Sequence, residues 1–158
     1  MAEAYMSMLI ESQEKKLELL QRAIELDKEQ EEIITGDKPD MGALDANMDA
    51  KGALIDELDK LDDGFEALYE KIREELIANK DAHREEILRL QDLIRKITEK
   101  IAEVEAIEAR SKANFEMFMK SRRHGIKDNK SSVKAANVYA SNMRRMNKID
   151  PMFVDNKK

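Results

Sequence analysis

The sequence predicts an all-α fold: an elongated antiparallel helical hairpin or bundle of three long helices, followed by a basic C-terminal tail that contains a short helix. Three observations carry this expectation. Apolar residues recur at three- and four-residue spacing through most of residues 1–120. Of the 158 residues, 39% are charged and only 4% aromatic, with 5 Gly, 2 Pro and no Trp, which suits long solvated helices sharing a narrow apolar seam. The charge also changes sign near Lys120. Residues 1–119 hold 31 acidic and 17 basic side chains, whereas residues 120–158 hold 3 acids (Asp128, Asp150, Asp155) and 11 bases. The chain therefore divides into a helical, coiled-coil-like body over 1–120 and a flexible basic tail over 121–158.

The first helix is predicted over residues 2–34, on the spacing of Met6, Ile10, Leu17, Leu20, Ile24 and Ile34. Gln13, Asp27 and Glu31 fall in the same seam and weaken it towards its end. Thr35-Gly36-Asp37-Lys38-Pro39-Asp40 is a clear break. Gly36 is suited to ending a helix in a left-handed conformation, and Asp37 or Asp40 to capping the next.

The second helix is predicted over 41–78. Its stripe is Leu44, Met48, Ile55, Leu58, Phe65, Leu68, Tyr69, Ile72 and Leu76, widened by Leu54 and Leu61. A stripe this wide suggests contact with more than one neighbour. Gly52 and Gly64 lie inside it, and a kink or a tight helix contact at Gly64 is one explanation for a residue that costs about 1 kcal/mol against Ala.

The third helix, over 82–120, has the clearest register: Ile87, Leu90, Ile94, Ile97, Ile101, Val104, Phe115 and Phe118, interrupted by Glu108 and Ser111. Opposite charges flank the seam, as in coiled coils. The connection Ala78-Asn79-Lys80-Asp81 holds no Gly or Pro, but the heptad phase slips across it. The slip fits a hairpin, with Asn79 stopping one helix and Asp81 starting the next, or a single long helix with a stutter. The hairpin is favoured because the wide second stripe needs partners.

Ser121-Arg122-Arg123-His124-Gly125 reads as the end of the third helix, with cations near its carboxyl terminus. A polar linker over 126–132 leads to a short helix near 133–148, with Ala136, Tyr139, Met143 and Met146 on one face. Asp150-Pro151 ends it.

The chemistry points away from catalysis. There is no Cys, which excludes disulfides, thiolate metal sites and cysteine nucleophiles and fits a reducing, cytoplasmic location. Neither His has a Glu three residues before it (Lys80 and Ser121 stand there), so the Glu-x-x-His pairs of a di-iron bundle are missing. His83 reads as a surface or seam residue at the helix connection, and His124 as part of the basic tail. Phosphate-binding loops, dinucleotide fingerprints and nucleophile elbows do not occur. No cofactor or metal is expected. The N-terminal residues lack the pattern of a signal peptide, and no stretch approaches the roughly 18 apolar residues needed to span a bilayer.

The tail has three readings. It could bind protein, fold back on the acidic helices, or contact nucleic acid or a membrane surface. Tyr139 and Phe153 are its only aromatic residues, which argues against single-strand recognition. The face over 133–148 is too weakly apolar for stable membrane binding. Methionine favours protein binding, because its flexible thioether repacks around varied apolar partners. Met117 and Met119 are expected to fill the core. Met143, Met146 and Met152 lie beyond the body, where recognition of an amphipathic helix explains them better.

Several of these features together resemble the FlgN-type flagellar export chaperones. An amphipathic first helix leads to a short polar break, then Lys51 followed by Leu54, Ile55, Leu58 and Leu61. Ile87-Leu88-x-Leu90-Gln91-x-x-Ile94 follows, then Glu105 and Glu108 before Asn114. Tyr139 and the ending Phe153-Val154-Asp155-Asn156-Lys157-Lys158 complete the pattern. The resemblance implies a cytoplasmic, non-enzymatic chaperone. It would bind the amphipathic terminal helices of hook-associated proteins, keep them export-competent, and meet the flagellar export gate. Helix-in-groove binding would mask the apolar helices of such subunits. On this reading Phe115, Phe118, Met119, Tyr139, Met143, Met146 and Phe153 form the partner-binding surface. The chain could also pair as a homodimer. A self-associating structural coiled coil and an acidic helical protein with a nucleic-acid-binding tail remain as alternatives.

Overall fold

A computed structural model of the chain describes residues 2–122. They form three helices, α1 (Ala2–Thr35), α2 (Met41–Ala78) and α3 (Arg84–Ser121), with no strand among the described residues. The 38 residues of α2 and of α3 each give a rod roughly 57 Å long at about 1.5 Å per residue. The predicted boundaries fall within two residues of the observed ones. The predicted tail helix over 133–148 lies outside the described residues.

Side-chain contacts fix the topology. Lys16 meets Asp62 and Asp27 meets Lys51, so α1 and α2 are antiparallel. Glu14 meets Arg89, Gln21 meets Lys100 and Glu31 meets Asn114, so α1 and α3 run parallel. The chain therefore runs up, down and up, and the connection at residues 79–83 is a hairpin rather than a stutter in one long helix. Helix α1 is the central element: the backbones of α2 and α3 each approach it closely, and they meet each other through side chains. The buried apolar side chains of α1 are aliphatic, from Met6 to Leu26, whereas α2 and α3 bring the buried rings Phe65, Tyr69, Phe115 and Phe118. Slimmer side chains on α1 allow the closer approach.

The turns are built locally. Helix α1 ends with the Thr35 hydroxyl donating to the Glu31 carbonyl at 2.6 Å. Gly36 does not adopt the left-handed conformation predicted for it; no described glycine has a positive φ. With Thr35 occupying one of the last carbonyls and Pro39 preventing the helix from continuing, no left-handed cap is required. Asp40 caps α2 as predicted, in extended geometry, its carboxylate accepting from the Ala43 N–H at 3.2 Å.

At the hairpin, Asn79 closes α2 through its N–H to the Glu75 carbonyl and donates its side-chain amide to both Glu75 carboxylate oxygens at 2.9 Å. His83, not Asp81, occupies the N-cap of α3. The amides of Ala82 and His83 bond back to the carbonyls of Asn79 and Lys80, adding a turn before the helix starts. The imidazole of His83 is buried, and its Nε2 lies 3.0 Å from Glu75.

The core forms three clusters along the bundle. A central one includes Leu20, Ile24, Leu54, Leu58, Ile97 and Val104. One at the hairpin end includes Met6, Leu9, Phe65, Tyr69, Leu76 and Leu90. A small one at the opposite end holds Leu44, Met48, Phe115 and Phe118. On α1 the seam differs slightly from expectation: Leu9 and Leu19 are buried, while Ile10, Leu17 and Ile34 are only half-buried. A Cβ at Gly52 or Gly64 would meet nothing within 4 Å, so neither glycine marks the tight contact that the sequence suggested for Gly64.

Candidate functional site

The end of the bundle that leads into the basic tail combines the two unusual features of the molecule. The first is a polar layer inside the core. Asp27 and Gln30 from α1, Asn47 and Lys51 from α2, and Glu108 and Ser111 from α3 are all buried within about one turn along each helix, between the central cluster and the small one. The Lys51 ammonium lies 2.6 Å from Asp27 Oδ1 and 3.0 Å from Glu108 Oε1. Asn47 Nδ2 donates to the Leu26 carbonyl at 2.9 Å, tying α2 to the backbone of α1.

Two carboxylates and one ammonium would leave the layer with a net negative charge. Burial prevents this by pushing the Glu108 carboxyl up to about 8, opposed by the Lys51 charge and assisted by the charge of Asp27 and a hydrogen bond to it. With Glu108 protonated, one ammonium faces one carboxylate and the triad is electrically balanced. Half-saturated buried charges are strongly destabilising, so balance is what allows the layer to exist.

The second feature is the distribution of apolar side chains on the last turns of α3. Phe115 and Phe118 were expected to form part of a partner surface. They are only 4% and 9% exposed, with ring centroids 6.5 Å apart, and pack with Leu44 and Met48 as the core of this end. Met119 is half-buried against the same cluster. Met117, expected as core filling, is instead 71% exposed. At 100° per residue it stands about 200° round the helix from Phe115, on the outer face. The Arg122 guanidinium stacks over the Phe118 ring at 5.3 Å and Ser121 donates to the Phe118 carbonyl, closing the helix. Tyr139, Met143, Met146 and Phe153, and with them the remainder of the predicted surface and His124, lie outside the described residues.

Elsewhere the surface is mainly ionic, although Met8, Ile77 and Leu88 are also about half exposed towards the hairpin end. An open groove between the parallel helices α1 and α3 is lined by Leu17 and Leu93 together with charged side chains that include Glu14, Arg89, Lys96 and Lys100. Asp92 serves Lys96, Arg95 and Arg89 at once, and these cations, Lys96 foremost, hold its carboxyl below the usual range. Lys16 is buried against Asp62 at 2.8 Å, and burial raises the Asp62 carboxyl despite that partner. Among the described residues no group of three or more His, Asp or Glu side chains is placed to hold a metal ion, and no helix is long and apolar enough to cross a membrane.

The triad was not anticipated as a unit. Asp27 registered only as a weak point of the first seam, and Glu108 and Ser111 as interruptions of the third. Lys51 enters the sequence only as the residue preceding the Leu54, Ile55, Leu58 and Leu61 run, with nothing to mark it as buried. The usable signal was coincidence: a polar residue interrupts each apolar seam, and an antiparallel hairpin brings 51 and 108 to one level. No family model, curated protein or solved structure matches this chain.

Proposed function

We propose that the protein is a non-enzymatic, helix-binding chaperone of the flagellar export kind, acting in the cytoplasm, with its C-terminal third as the receptor for an amphipathic helix. The observation that carries helix binding is the exposure of Met117 on the last turns of α3, directly before a segment that adds Tyr139, Met143, Met146 and Phe153. Phe115 and Phe118 are buried on the core side of α3, and Met119 is half-buried against them. Such a Met-rich face accommodates varied apolar helices. The helical bundle supplies a solvated support for this segment.

Only the resemblance to FlgN-type proteins points to hook-associated proteins as the bound class and to the export gate as a second partner. The test uses the full chain carrying Tyr139→Ala, Met143→Ala, Met146→Ala and Phe153→Ala together, and a chain ending at Arg122. Both are expected to keep the melting temperature of the body and to lose binding to terminal-helix peptides of hook-associated proteins. Peptide binding that survives both changes rejects the tail as receptor. Failure of the unaltered protein to bind any such peptide rejects the chaperone reading. Affinity that falls steeply with added salt, with nucleic acid as the ligand, would favour a phosphate-contacting tail instead.

A further inference from the structure

The polar layer separates parts of the core that differ in size. On one side lie the central and hairpin-end clusters, with ten and eight buried apolar residues; on the other, the small cluster has four. The tail-bearing end is thus joined to the main core across six buried polar side chains, and its own apolar packing is the least in the molecule. Local opening is drawn from such regions.

The layer also has a property that an apolar layer lacks. Its stability depends on one proton. From α1 Asp27 faces Glu108, and from α2 Lys51 faces both carboxyls; the other buried members, Gln30, Asn47 and Ser111, do not titrate. On α1, Glu29 is exposed, and the half-buried Glu31 is occupied by the Asn114 amide at 2.6 Å. With one cation and two acids sealed together, the loss of the Glu108 proton leaves a net negative charge where its energy is high.

We propose that the Asp27–Lys51–Glu108 layer is a proton-dependent latch: with its proton it closes the tail-bearing end of the bundle onto the main core, and without it that end opens while the rest stays folded. The inference is independent of what the protein binds. In the closed layer Glu108 holds its proton to about pH 8, whereas its ordinary value is 4.5. Between those limits the closed form binds more protons than the open one. Each rise of one pH unit therefore favours opening by up to about tenfold.

Amide hydrogen exchange of the full chain tests the latch, with protection factors compared at pH 6 and pH 8. Amides over 41–50 and 111–121 are expected to lose protection about tenfold or more on raising the pH, while those over 69–76 and 90–97 change less than about threefold. Glu108→Gln, which mimics the protonated acid, is expected to abolish the difference. Equal change at both ends, no change, or a pH response that persists in Glu108→Gln overturns the latch. Carbon-13 NMR of the Glu108 carboxyl in the unaltered protein decides the case without any variant. A titration midpoint near 4.5 instead of near 8 overturns it.

Discussion

The two ends of the bundle hold their helices by different means. At the hairpin end, Met6, Leu9, Phe65, Tyr69, Ile72, Leu76, Leu90 and Ile94 make an apolar cluster, and charged groups stay at its edge: Lys71 lies over the Tyr5 ring, and Glu75 faces water while binding Asn79 and His83. At the tail-bearing end, four apolar residues lie beyond a layer that buries an ion triad. Apolar packing is insensitive to pH and tolerant of register. A buried triad is conditional on protonation, and its atoms meet in one register only. The difference shows how a three-helix bundle can be anchored at one end and conditionally closed at the other. The hypothesis that the triad also sets helix register rests on its taking one residue from each helix.

The most severe break is expected in the central cluster that both ends share. Ile97→Asp places a carboxylate where the side chain is 1% exposed, and should destabilise the fold by about 4–5 kcal/mol. An unchanged thermal midpoint by circular dichroism would show that the seam is wrongly placed. Next comes Lys51→Met, which leaves Asp27 and Glu108 without their cation. A loss of about 3–4 kcal/mol is expected. Replacing all three together, as Asp27→Leu, Lys51→Met and Glu108→Leu, should be neutral or stabilising by about 1–4 kcal/mol. If the triple variant is as unstable as the single one, the layer contributes more than charge balance.

The pH dependence sharpens the same contrast. Glu108 has its folded value raised from 4.5 to about 8, so its contribution is complete below the unfolded value and declines as pH rises towards 8. Urea unfolding should lose up to about 1.4 kcal/mol per pH unit across that interval. Asp62, also raised by burial, adds a decline of the same sign just above its unfolded value. Glu75 and Asp92 have lowered values and act oppositely: their contribution is present above the unfolded carboxylate range and is lost as pH falls through the folded values. Stability that stays level from pH 5 to 8 would contradict the burial of the triad. The smallest effect is expected at Gly64. Alanine there meets no atom within 4 Å and removes the flexibility of a glycine in mid-helix, so Gly64→Ala should stabilise by about 0.5–1 kcal/mol. A loss of stability would reveal a close contact at that position.

The three helices and the break at 35–40 could be read from residue spacing because they depend on local periodicity. Each seam residue is apolar whether or not its partner is known, and Asp40 caps α2 through an amide three residues away. The wide stripe of α2 even favoured the hairpin over one long rod. Partnership between distant residues is another matter. That Asp27, Lys51 and Glu108 meet depends on the rotation and level of three helices, and from spacing alone each was a flaw in a seam or an unremarked charge. Position around a helix likewise separated Met117, exposed, from Phe115 and Phe118, enclosed, although all three are apolar within four residues. Local order followed from the pattern of the chain; which polar groups are buried together, and which apolar ones are left in water, was settled by packing, because burial is a property of neighbours rather than of residues.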